Sequence, residues 1–144
     1  MRNVVQSFRA QAEAQARELV QAIDGAEGVI VSTIERECEA LRAGQMLAAE
    51  ALRLRLRDAA KLYVNLFRAA RASIWTLEQV LPGTANYLDA HRAAFAALLR
   101  VELAVLATER AAAEPTREMP AEAASNVTPL RRVRKRRERR RRAG

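Results

Sequence analysis

At 144 residues the chain has one domain's worth of length at most. It holds six aromatic residues, five Gly and four Pro, and Ala supplies much of its apolar half, a composition that excludes a thick aromatic core and favours long helices meeting along narrow seams. The net charge of +8 is unevenly spread: residues 131–144 carry +9, whereas residues 1–130 sum to −1, so any argument from the high pI concerns the C-terminal run alone.

The first predicted element is a helix over about residues 4–41, with Phe8, Ala12, Leu19, Ile23, Ile30, Ile34, Cys38 and Leu41 roughly on one face. Gly25 and Gly28 lie inside it, each costing about 1 kcal/mol relative to Ala, and Val29-Ile30-Val31 follows. A bend near Asp24–Gly28 is therefore expected. Arg42-Ala43-Gly44-Gln45 offers a turn, with one continuous helix as the alternative. A rod from Val4 to Leu81 would run about 115 Å, too long for the remaining chain to cover, which favours the turn.

The second helix, about 45–81, organises the rest. Leu52, Leu56, Ala59, Tyr63, Leu66, Ala70, Ile74, Leu77 and Leu81 recur at gaps of mostly three and four, giving one apolar stripe. Arg53, Arg55, Arg57, Asp58, Asn65, Arg68, Arg71 and Glu78 fall on its flanks and back. Tyr63 and Trp75 are read as core residues. Pro82-Gly83 ends the helix. A third helix, about 86–113, is expected to start from Asn86 as N-cap with Asp89 in its first turn. Its inward face is Leu88, Phe95, Leu99 and Leu106, while Val101, Leu103 and Val105 add apolar surface elsewhere. That width exceeds one seam. Packing within the bundle or a homodimer would use it, as would a partner helix seated on Phe95, Leu98, Leu99, Val101, Leu103, Val105 and Leu106.

Residues 114–130 read as a Pro/Ala-rich linker and 131–144 as a disordered polybasic tail. Its cations are Arg131, Arg132, Arg134, Lys135, Arg136, Arg137, Arg139, Arg140, Arg141 and Arg142. Such a run binds nucleic acid or an anionic surface without sequence preference, and it lacks the aromatics needed to stack on bases. The expected architecture is all-α: an elongated up–down helical hairpin or three-helix bundle with a coiled-coil-like seam, followed by that tail. No stretch alternates with period two, so no strand is expected.

Catalytic chemistry finds little support. His91 is the only histidine, so a His-based metal cluster or a Cys–His pair is hard to assemble, and a partly buried, hydrogen-bonded histidine is the reading. Cys38, the only cysteine, excludes an internal disulfide, suits a reducing compartment and reads as a small hydrophobe. Glu35, Glu37, Glu39 and Glu50 point in different directions on their helices and lack the Glu-x-x-His pairs of a di-metal bundle. There is no Gly-rich phosphate loop and no nucleophile elbow. A non-enzyme without cofactor or metal is expected. The start MRNVVQSFRAQ lacks a signal-peptide core, and the longest apolar run, residues 93–99, is far short of the ~20 residues that span a bilayer. No transmembrane segment and a cytoplasmic location are the expectations.

The run Glu37-Cys38-Glu39-Ala40-Leu41-Arg42-Ala43-Gly44-Gln45, followed by a helix bearing Leu52, Leu56 and Lys61-Leu62, resembles the FlgN-type flagellar export chaperones over about residues 30–113. The resemblance implies a small cytoplasmic all-helical chaperone that holds hook–filament junction subunits soluble before type III secretion. It implies binding of an amphipathic helix and no cofactor. Glu37, Leu41, Gly44, Gln45, Lys61 and Leu62 are the matching positions, and they determine shape rather than bind ligand. Lys61 lies about one helical turn further from Leu41 than in the family pattern. The segment after Ala113 is Pro-broken and polybasic rather than amphipathic, which would place the client surface on the third helix. The alternatives are a nucleic-acid-associated protein acting through its tail and a structural coiled-coil oligomer.

Overall fold

A computed structural model describes residues 2–114, and among these every regular element is α-helical. The order is α1 (Arg2–Arg42), α2 (Met46–Ala72), α3 (Ile74–Val80) and α4 (Thr84–Ala113). Residues 1–111 form one compact unit; a second, residues 112–144, is described only at 112–114. The linker and basic tail expected from residue 115 onward lie outside the described residues.

The chain turns where Gly44 was expected to allow it. Gly44 adopts φ +72°, a conformation that L side chains with a Cβ reach only at a cost. The N–H of Gln45 donates to the Ala40 carbonyl at 2.8 Å and that of Gly44 to Leu41 at 3.1 Å, so the last carbonyls of α1 are satisfied as the chain reverses. α1 and α2 then run side by side with Cα atoms within 8 Å of one another. Small residues permit that approach: Ala16, Ala26 and Ala40 on α1, and Ala49, Ala59 and Ala70 on α2, are all buried.

The stripe predicted for the second helix is buried or half-buried at every position. Around the hairpin end it packs Leu52 and Ala49 on Ala40. Further along, Ala59 joins Ile30, Ile34, Cys38, Phe95 and Leu106. Beyond that, Phe67, Ala70 and Leu77 meet Ala16, Ile23 and Leu88. At the N-terminal end of α1 the pattern outruns its cover. Phe8, assigned to the inner face, is exposed together with Val4 and Val5, because the apolar cluster ends at Ala16.

α1 stays helical through Gly25 and Gly28, and three expectations about the later helices need correction. Both glycines are exposed, and the burial of Ile23, Ala26 and Ile30 around them offsets their backbone cost. The second helix is not continuous to residue 81. It stops at Ser73, whose backbone (φ −104°, ψ 12°) leaves helical geometry before α3 begins. Past that point Ile74 and Leu77 still turn inward, but Trp75 faces solvent at 76% exposure and is not core.

The third correction concerns the start of α4. Thr84, not Asn86, opens it, and Glu78 of α3 does the capping. The Glu78 carboxylate accepts the N–H of Gly83 at 2.8 Å and that of Ala85 at 3.0 Å, while Gly83 turns the chain at φ +91°. The capping residue lies one element upstream in sequence, so a local search for Ser, Asn or Asp cannot find it. The N–H of Gly83, then that of Ala85, hold the Glu78 carboxyl below its ordinary value. A depressed carboxyl contributes stability that is present above its unfolded value and is lost as pH falls through the folded one. Glu78→Gln should therefore lower the melting temperature at neutral pH. It should also flatten the decline that the native chain shows below about pH 4.5, followed by circular dichroism.

Candidate functional site

The polar chemistry of the described residues concentrates between α1 and α4. On the side of α1 facing α4, two glutamates are buried, Glu27 and Glu37. Ten residues apart, they lie close to the same face of the helix. α4 presents a cation or a histidine to each.

Glu37 is paired outright. Arg110 donates from Nε to Glu37 Oε1 at 2.8 Å and from a terminal guanidinium nitrogen to Oε2 at 3.1 Å, a bidentate fork on a side chain only 2% exposed. Arg42 Nε meets Glu109 Oε1 at 2.8 Å on the outside of the same seam, where solvent reduces a pair to about 0–1 kcal/mol.

Glu27 is paired only in part. His91 Nε2 lies 2.5 Å from Glu27 Oε2 and 3.0 Å from Asp24 Oδ1. The Tyr87 ring stacks on the His91 imidazole at 5.3 Å between centroids, and its hydroxyl donates to Asp24 Oδ2 at 3.2 Å. Glu27 Oε1, on the other hand, is buried with no hydrogen-bond partner among the described residues. Burial pushes the Glu27 carboxyl up, and His91 first, then a weaker hydrogen-bonding contact from the Tyr63 hydroxyl, pull it back in part. The Tyr63 hydroxyl lies nearby, pushed up to about 12 by burial first and by Glu27 second. Sequence reasoning treated His91 as a lone histidine and missed its two acids. The available signal was Asp24-x-x-Glu27, which puts two carboxylates on one face of α1.

The residues assigned to a partner surface divide in two. Phe95 and Leu106 are buried and Leu99 is half-buried, all in the core with Ile30 and Ile34, so in this chain they serve the bundle's own packing. Phe95 stacks against Tyr63 at 5.1 Å. Leu98, Val101, Leu103 and Val105 are exposed, Val101 at 62%. Leu98, Val101 and Val105 follow the spacing of one helix face, extended by the exposed Ala90, Ala94, Ala97 and Thr108. That strip carries no charge over about 27 Å of helix. Leu103 sits on the opposite flank.

The remaining candidates have simpler roles. Cys38 is buried, and burial raises its thiol, which keeps it a weak nucleophile. Leu41 packs inward, while Lys61 and Leu62 of the family-like run are exposed. Arg68, Arg71 and Arg92 line a cavity of about 270 Å³ floored by Tyr63 and Phe67, with Arg92 5.5 Å from the Phe67 ring centroid. No described helix is long and apolar enough to cross a membrane. The tail residues Arg131 to Arg142 lie outside the described residues. No protein family, curated protein or solved structure matches the chain significantly.

Replacing Arg110 with Ala leaves the Glu37 charge buried without its partner. The expected loss is about 2–4 kcal/mol, trimmed from the fully buried case because Arg110 keeps 31% exposure. Urea unfolding of the two proteins measures it, and Arg110→Lys should recover only part of the loss, lacking the fork.

Proposed function

We propose that the protein is a non-enzymatic binding protein that seats an amphipathic helix of a client along the outer face of α4. The observation that carries this reading is the uncharged strip of Leu98, Val101 and Val105, exposed on a helix whose opposite face is already buried in the bundle. A contiguous apolar strip, unlike singly scattered exposed residues, is the kind of surface that marks an interaction site. The alanines beside them allow a second helix to approach closely, and the length of the strip suits a few turns of such a helix. The resemblance around Glu37–Gln45 extends the proposal to its class. The client is a flagellar hook–filament junction subunit, kept soluble in the cytoplasm before type III export, and no cofactor is required for this activity.

A second reading has its own support. Ten cations between residues 131 and 142 would bind nucleic acid with a steep salt dependence. It predicts that co-purifying RNA disappears when residues 131–144 are removed.

The client reading is tested by co-expression with the hook–filament junction subunits and gel filtration of the product. A stable complex is expected for the native chain, and Val101→Asp should abolish it while leaving helicity and melting temperature nearly unchanged. Absence of any complex with the native chain would defeat the flagellar assignment. A complex that tolerates Val101→Asp would move the docking surface off α4.

A further inference from the structure

The cluster of Asp24, Glu27 and His91 has more donor capacity than an ion pair uses. One donor atom from each lies within 4.8 Å of the others. They come from two helices, so their convergence is a property of the α1–α4 packing and not of sequence proximity. Two neighbouring donors on an octahedral ion with bonds of about 2.1 Å stand about 3.0 Å apart, and two on tetrahedral zinc about 3.4 Å. The separation between Asp24 Oδ1 and His91 Nε2 is 3.0 Å.

The Glu27 carboxylate supplies the independent indication. Its side chain is only 9% exposed, and its Oε1 is buried without a well-formed hydrogen bond, the Tyr63 hydroxyl being the other polar group near the carboxylate. That weak contact leaves the buried carboxylate short of the hydrogen bonding its desolvation calls for. A cation held by both carboxylate oxygens would supply it. The surroundings fit that role as well. Tyr87 fixes Asp24 through its hydroxyl and fixes the imidazole plane by stacking, the kind of outer support that orients metal ligands. Asp24 and His91 are 41% and 31% exposed, which leaves one side open to water as further ligand.

We propose that Asp24, Glu27 and His91 form a binding site for a divalent transition-metal ion that clamps α4 to α1. One imidazole and two carboxylates suit zinc, or iron and manganese, better than magnesium or calcium. Coordination uses the His91 Nε2 lone pair with the proton on Nδ1. It also requires Glu27 and His91 to separate by about half an ångström from their present hydrogen-bonded distance. Metal binding is measured on the chain alone, so the site stands or falls independently of any client.

The test uses the untagged full chain, stripped with chelator and titrated with Zn²⁺ alone by calorimetry, with thermal melts alongside. Saturable one-to-one binding and a melting temperature raised by several degrees are expected. Asp24→Asn, at a half-exposed position, and His91→Gln should each weaken binding at least tenfold while circular dichroism shows the fold intact. Mg²⁺ at the same concentration should not compete. Failure to bind Zn²⁺ saturably would overturn the site and leave the cluster as an ion pair. Binding of native strength in both variants would overturn it equally, since the ion would then lie elsewhere.

Discussion

Two carboxylates buried on one side of α1 constrain everything packed against that side. Glu37 is almost wholly removed from water and Glu27 nearly so. An ionised carboxylate in such a place costs several kcal/mol unless it is paired and hydrogen-bonded. Arg110 and His91 reach across from α4, 19 residues apart, and constrain its axial register and rotation, while the Tyr63 hydroxyl of α2 adds a contact to Glu27. The seam with α2 is otherwise mainly apolar, and alanines let the backbones approach there. The α4 seam adds its ion pairs to the packing of Phe95 and Leu106 on Ile30 and Ile34.

The rotation imposed on α4 has a direct consequence. With Arg110 and His91 turned toward α1 and Leu88, Phe95 and Leu106 turned into the core, Leu98, Val101 and Val105 have no inward position left. His91, Leu98 and Val105 follow one another at heptad spacing, so the proposed strip begins beside the proposed metal clamp, and Val101 lies further round toward solvent. A metal at Asp24, Glu27 and His91 would stiffen α4 and so preorganise the strip, which lowers the ordering cost of binding.

Much of this was legible in the residues. The apolar stripe from Leu52 to Leu81 and the break at Pro82-Gly83 rest on strong local signals, namely helical periodicity and a Pro-Gly pair. The turn at Gly44 rested on a single Gly, a weak signal, and on the length that an unbroken rod would need. The break at Ser73 was not legible, because neither Gly nor Pro marks it. The cap on α4 was not either, since its carboxylate comes from Glu78 in the preceding element. At Gly25 and Gly28 the burial of the neighbouring residues keeps the segment helical despite the propensity cost. The faces of α4 were half legible: periodicity identifies its apolar residues, but only the packing against α1 and α2 decides which of them point at solvent. Asp24, Glu27 and His91 escaped notice because the acids and the histidine are separated by more than sixty residues.

The account depends on how α4 is rotated, and single-cysteine reactivity measures that most directly. With Cys38 changed to Ser, Val101→Cys and Leu106→Cys are each treated with a water-soluble thiol reagent under native conditions. The cysteine at 101 should react at the rate of an unfolded control, and the one at 106 about a hundredfold more slowly, since it is reached only when the bundle opens. Similar rates at the two positions, or protection at 101 with reaction at 106, would mean that α4 is turned otherwise and that the pairs to Glu27 and Glu37 do not hold it.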